Sequence, residues 1–118
     1  MTTQEIANRL VELCKTGQYE TAYKELFASN AVAIEPDHAP EPQQVQGVDN
    51  LIAKGKGFQS MIEKVHSEYI SEPVIGGNFF SVAMGMDITM KEGGRMSMDE
   101  VCVYKVENGK IVQEQFFF

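Results

Sequence analysis

A carboxylate at the end of an apolar run is a natural place to look for proton chemistry, and this chain has one in "NAVAIEPDHAP". Ala31 to Ile34 read as a buried strand, and Glu35 follows, held between Ile34 and Pro36. Glu35 is either the first polar residue of a loop or a base facing a pocket. In a dry pocket a carboxyl group keeps its proton to higher pH and can move one beside a carbonyl. Two further carboxylates stand out: Glu114, flanked by Val112 and Phe116, and Asp99 near one end of an alternating stretch. Metal chemistry is not expected. His38 and His66 are the only histidines, and neither has ligand spacing around it, although Glu35, Asp37 and His38 fall close together. Cys14 and Cys102 lie far apart in apolar patterns and read as buried free thiols.

The elements that must position these groups run helices first, strands afterwards. Ile6, Leu10, Leu13 and Cys14 form one helical face, opened by a Thr2/Glu5 capping box and stopped at Gly17. Tyr19, Ala22, Tyr23, Leu26 and Phe27 mark a second short helix. After the strand ending at Glu35 and a proline-rich loop, a third helix carries Leu51, Ile52, Phe58, Met61, Ile62 and Val65 on one face. Gly55 and Gly57 inside it suggest a kink or a close approach. From Val65 the period changes to two, and turn signals at "GGN", "EGGR" and "ENGK" divide the remainder into a four-stranded antiparallel meander. Helices on one side of an antiparallel sheet make an α+β architecture.

Two-residue loops at Gly93-Gly94 and Asn108-Gly109 would fix the register of the last three strands. One face then carries Ile88, Met86, Met84 and Val82 beside Asp99, Val101 and Val103 and beside Phe116 and Glu114. This face is the more apolar and is expected to meet the helices. Glu114 and Asp99 are its two exceptions, and a buried carboxylate needs a partner or a purpose. The opposite face carries Asp87, Glu100, Cys102, Tyr104, Gln113 and Gln115, a semi-polar surface suited to a second subunit. A one-residue slip in either loop would exchange the faces. The "GGN" turn leaves two registers open, one turning His66, Glu68 and Ile70 toward the helices and the other Val65, Ser67 and Tyr69.

The chain has 118 residues, 43% of them hydrophobic, and a net charge of −7, so one globular domain is expected. The acidic balance argues against nucleic acid and anionic membrane as partners, and weakly against acidic substrates. No apolar run approaches the roughly 20 residues of a membrane span. "MTTQEIANRL" lacks the basic and apolar regions of a secretory signal, so a cytoplasmic location is the expectation.

Together these pieces resemble the NTF2-like superfamily across nearly the whole chain. They are two N-terminal helices, a strand ending in acid-Pro, a helix after Gly47-Val48 and a meander closing on "VYKVENGKIVQEQFFF". "GKGF", "MDITMK" and the C-terminal "NGKIV" followed by Glu114 are most similar to the SnoaL-like group, the polyketide cyclases and their relatives. The resemblance implies a cone: a bent sheet wrapped around helices, an apolar pocket within, and often a dimer through the outer face of the sheet. "LFASNAVAIEP" is also similar to the early segment of ketosteroid isomerase and puts Glu35 at the place of its general base. The isomerase's oxyanion tyrosine falls at Leu10, however, and its protonated aspartate near Val101, so a steroid-isomerase reaction is not implied. What remains is a cofactor-free isomerase or cyclase acting on an apolar carbonyl compound, with Glu35, Glu114 and Asp99 as acid/base candidates. Tyr23, Met84, Met86, Val101, Val103 and Phe116 would line its pocket. The alternative is a binding or dimerisation module of the same fold without catalysis, since one fold hosts both.

Overall fold

The Thr2 hydroxyl accepts from the Glu5 amide while the Glu5 carboxylate accepts from the Thr2 amide, and this reciprocal cap starts α1 (Thr3–Lys15). The computed structural model describes residues 1–118. After Gly17 the chain enters α2 (Tyr19–Leu26) and passes directly into β1 (Phe27–Ile34). A short β2 (Gln44–Gln46) follows the proline-rich loop, and α3 (Val48–Ser60) comes next. The remaining strands are β3 (Ile62–Ile70), β4 (Val74–Gly76), β5 (Phe79–Met90), β6 (Gly94–Glu107) and β7 (Lys110–Phe117).

The strands form one sheet in the order β2-β1-β7-β6-β5-β3, with β4 also paired to β5. Only β1 and β7 run parallel. The expected meander is therefore present, with its first strand broken into β3 and β4 around Pro73. All three helices pack on one face of this mixed, mostly antiparallel sheet. Ile6, Leu10 and Leu13 of α1, Leu26 of α2 and Leu51 of α3 meet Ala31, Ala33, Phe80, Val82, Cys102, Tyr104 and Ile111 of the sheet in one core. Each large apolar side chain buried there contributes roughly 1.5–3 kcal/mol, so the inward rows dictate how the strands face. No helix is long and apolar enough to cross a membrane.

Several expectations need correction. The third helix ends at Ser60, and Ile62 and Val65 belong to β3; the following "IEKVHSEYI" alternates and pairs along β5. Nothing lies within 4 Å of where a Cβ would stand on Gly55 or Gly57, so neither marks a close approach. The β5–β6 turn is Lys91-Glu92-Gly93 rather than Gly93-Gly94, with φ of 101° at Gly93 and 80° at Gly94. Both values lie in the left-handed region that glycine enters without cost. Gly85 therefore pairs with Asp99, and Val82 with Cys102. This odd shift turns β6 over. Val101, Val103 and Asp99 face away from the helices, while Glu100, Cys102 and Tyr104 face toward them.

A second irregularity acts on β7. Its turn has the expected two residues, Asn108 and Gly109, and Val106 pairs with Ile111. A bulge at Val112 then shifts the register, so that Lys105 pairs with Gln113 and Tyr104 with Glu114. Glu114 and Phe116 thus stay on the helix side, as expected, but through two departures that cancel. The cross-strand neighbour of Glu114 is Tyr104, not Val103.

Candidate functional site

α2 is short and amphipathic, and its buried face, Ala22 and Leu26, fixes the rotation that aims Tyr23 at the sheet. Tyr23 stacks at a tilt on Phe27, with ring centroids 4.6 Å apart, and its hydroxyl donates to Glu114 Oε1 at 2.7 Å. Phe27 in turn meets Tyr104 edge-on, and Tyr104 stacks on Phe80 at 4.7 Å. This aromatic chain closes the floor beneath Glu114.

Glu114 is only 3% exposed and is the one charged residue among the buried positions. Burial pushes its carboxyl up to about 7, from an ordinary 4.5. The Tyr23 hydrogen bond and the Lys54 charge pull the other way, while Glu100 and Glu35 add to the rise. Tyr23 itself is held well above the usual tyrosine range by burial and then by the Glu114 charge.

Between the helices and strands β3, β5 and β6 lies a cavity of about 670 Å³. Tyr19 and Tyr23 of α2, Phe58 of α3, and Met84, Met86 and Met98 of the sheet provide much of its apolar wall. A smaller space of about 80 Å³, bounded by Glu114, Phe116, Tyr104 and Phe27, lies deeper. Cys14, Tyr19, Tyr23 and Met84 border both, so the Tyr23–Glu114 pair stands at the inner end of the larger cavity. The Cys14 thiol is pushed up to about 12 by burial and by the Glu114 and Glu68 charges, which leaves it protonated and unreactive.

The candidates separate clearly on this geometry. Glu114, Tyr23, Met84, Met86 and Phe116 come together around the two spaces. Glu35 does not border either one. Its side chain, 16% exposed, accepts from Lys54 Nζ of α3 at 2.6 Å, and Lys54 also lies 6.0 Å from the centre of the Phe116 ring. Asp99 is on the outer face of the sheet, where it accepts from the Tyr69 hydroxyl at 2.7 Å. Val101 and Val103 share that outer face. His66 is exposed and bonds Thr89 Oγ1, while His38 meets Phe118 edge-on, and neither histidine borders either of these two spaces.

Two residues of this region escaped sequence reasoning. Glu100 borders the larger cavity, and burial raises its proton affinity. A two-residue β5–β6 turn would put it on the outer face; the three-residue turn brings it inward. Lys54 carries no marker in "LIAKGKGF"; only the i, i+3 spacing from Leu51, which is buried, places it on the inward side of α3.

Three helices packed on a mixed, mostly antiparallel sheet make an NTF2-like, cystatin-like fold. A family model of the SnoaL-like domain matches residues 1–118, and the chain belongs to that family. A protein from Mesorhizobium loti, provisionally described as a SnoaL-like polyketide cyclase and also as a carbohydrate phosphatase, is similar at 33% identity. The match covers 100% of both chains with a TM-score of 0.91. An NTF2-like protein from Burkholderia thailandensis is 13% identical with a TM-score of 0.85, covering 99% of this chain and 90% of the other. A provisionally named isomerase from Bacillus subtilis is 20% identical with a TM-score of 0.72, covering 98% and 88%. The last two show likeness of fold alone. Among curated proteins none matches this chain.

Proposed function

We propose that the cavity binds an apolar carbonyl compound and that Glu114, fronted by Tyr23, exchanges a proton with it without a cofactor, as an isomerase or cyclase would. The observation that carries this reading is a carboxyl group held near neutrality by burial, bonded to a tyrosine that borders the cavity. Such a group is present in both forms at neutral pH and can act in either direction. As a carboxylate it takes a proton from carbon beside the carbonyl, and the electron pair moves onto the carbonyl oxygen. Once protonated, Glu114 no longer needs the Tyr23 hydrogen, and the Tyr23 hydroxyl is free to donate to that oxygen. Glu114 then returns its proton to the oxygen or to another carbon. Glu35 has no part in this scheme, because Lys54 occupies it.

A second reading is ligand binding without catalysis, favoured by the position of Glu114 behind Tyr23, where substrate must reach past the ring. A thermal-shift screen against steroid and aromatic polyketide ketones, followed by deuterium uptake at the carbon beside the carbonyl, separates the two. Uptake lost in Glu114→Gln supports proton transfer. Stabilisation without uptake leaves the binding module, and no stabilisation by any ketone counts against a carbonyl ligand in either role.

We further propose that the outer face of the sheet joins two copies of the chain. Val101, 46% exposed, pairs directly with Phe117, 49% exposed, and Val103 and Gln115 form the neighbouring pair. Tyr104, expected on this surface, is instead in the core. A monomer by light scattering at micromolar concentration would overturn the proposal.

A further inference from the structure

The charges that border the larger cavity are unequally satisfied. Lys15 pairs with Glu72 at 3.4 Å, and Lys56 with Glu20 at 2.6 Å, so both bordering lysines are already engaged. Glu100 has no cationic partner; its one side-chain hydrogen bond is with Cys102, whose Sγ donates to Oε1 at 3.5 Å. Lys54, the nearest cation of α3 in electrostatic effect, gives its hydrogen bond to Glu35 instead. Glu68, on β3, also borders the cavity and has no ion pair.

Register places these carboxylates around a methionine floor. Glu68, Met86 and Met98 make one row across β3, β5 and β6, and Ile70, Met84 and Glu100 make the next. Tyr19, Tyr23 and Phe58 stand above, on the helices. Polarisable sulfurs and aromatic faces attract a cation as readily as they attract hydrocarbon. A neutral ligand that filled this space would strip water from Glu100 and leave it unpaired or force a proton onto it. An anionic ligand would add repulsion to that cost. A wall this apolar matches a cation that brings hydrocarbon with it, so the cation that fits is organic.

We propose that the ligand of this cavity is an apolar molecule carrying one positively charged nitrogen, an ammonium group seated at Glu100 with its hydrocarbon on Met84, Met86 and Met98. This deepens the reading of the cavity as a small-molecule site: the cavity makes the site, and Glu100 sets the sign of the charge it accepts. The ammonium end at Glu100 also fixes which way the ligand lies, with its other end toward Tyr23 and Glu114.

Three probes with nearly the same skeleton test the proposal: 3-phenylpropylamine, 3-phenylpropan-1-ol and 3-phenylpropanoate, titrated at pH 7.5 and followed by NMR shift changes. The unmodified protein is expected to bind the amine at least tenfold more tightly than the alcohol, and the propanoate most weakly. Glu100→Gln, close in shape, should bring amine and alcohol within threefold of each other, whereas Glu68→Gln should keep most of the preference. A second measurement needs no variant: raising salt to about 1 M should weaken the amine and spare the alcohol. Alcohol binding equal to amine binding, or a preference that survives Glu100→Gln, overturns the cationic ligand while leaving the cavity as a binding site. Failure of all three probes at millimolar concentration overturns both.

Discussion

Tyr23 on α2 and Glu114 on β7, far apart in sequence, are joined by a 2.7 Å hydrogen bond beneath the helices. The bond matters in two ways. It satisfies a carboxylate that would otherwise be costly to bury, and it places that carboxylate one side chain away from a cavity large enough for a small molecule.

The raised proton affinity of Glu114 has a thermodynamic counterpart. Its carboxyl holds a proton up to about 7 when folded but only to about 4.5 when unfolded. Between those values the folded state binds the extra proton, so stability from this group falls as pH rises through that window. Glu114→Gln keeps an acceptor for Tyr23 and removes the titration. The variant should match the wild type in urea unfolding at pH 4.5 and exceed it at pH 8 by about 3 kcal/mol at most. A difference that does not change with pH would refute the assignment.

Tyr23→Phe removes the donor that favours the ionised form. Glu114 should then hold its proton to still higher pH, and the variant should lose about 1–3 kcal/mol of stability at pH 8 but less at pH 5. Carbon-13 NMR of the Glu114 carboxyl reads the first effect, and urea unfolding the second. A downward shift would show that the hydroxyl does not donate to the carboxylate.

Lys54 and Glu35 act on Glu114 with opposite signs. Lys54→Met withdraws a positive charge and leaves Glu35 uncompensated, so Glu114 should titrate higher. Glu35→Gln withdraws a negative charge and frees Lys54, so Glu114 should titrate lower. Shifts of the same sign in the two variants would break the proposed cluster. The measurement is the same carboxyl titration.

Gly85 sits where a side chain has no room. A Cβ there would meet the Met98 carbonyl oxygen at 2.5 Å, the Tyr69 ring at 2.7 Å and Asp99 Oδ1 at 2.8 Å. Gly85→Ala should cost about 1–3 kcal/mol in chemical denaturation. Gly57→Ala, in the exposed interior of α3 with nothing within 4 Å, should instead stabilise by up to ~1 kcal/mol. Equal effects at the two positions would count against the packing described around Gly85.

Much of the fold was legible because it rests on periodicity. The capping box at Thr2, the apolar face of α1 and the turns at "GGN" and "ENGK" each carry their own local rule and stand where the sequence puts them, while the turn at "EGGR" is present but displaced toward Lys91. The faces of the strands were harder to read. Whether Gly94 ends a loop or begins a strand is decided by Met90 pairing with Gly94, a contact between strands that no local pattern announces. A two-residue turn there would send Val101 and Val103 to the cavity and Glu100 to the outer surface, and the third residue reverses all three. Apolar β-branched residues on an exposed face made the mistake easy, since burial is the default expectation for valine. Glu114 was placed on the correct side because the bulge at Val112 offset the miscounted turn. The partnership of Glu35 with Lys54 joins a strand end to a helix and depends on their relative tilt, which composition does not encode.

The bulge at Val112 also makes the chemistry of the cavity depend on counting. Glu114 is bracketed by Gln113 and Gln115, so the strand offers an acid and two amides of nearly the same size in alternation. With the bulge, the acid points inward; were the strand to pair without it, Gln113 would stand opposite Tyr104, and the smaller space would lose its carboxyl group while keeping almost the same shape. Deleting Val112 would remove the bulge and leave Glu114 opposite Tyr104, whereas deleting Gln113 with the bulge kept would bring Gln115 there, a chemical edit that turns an ionisable wall into an inert one.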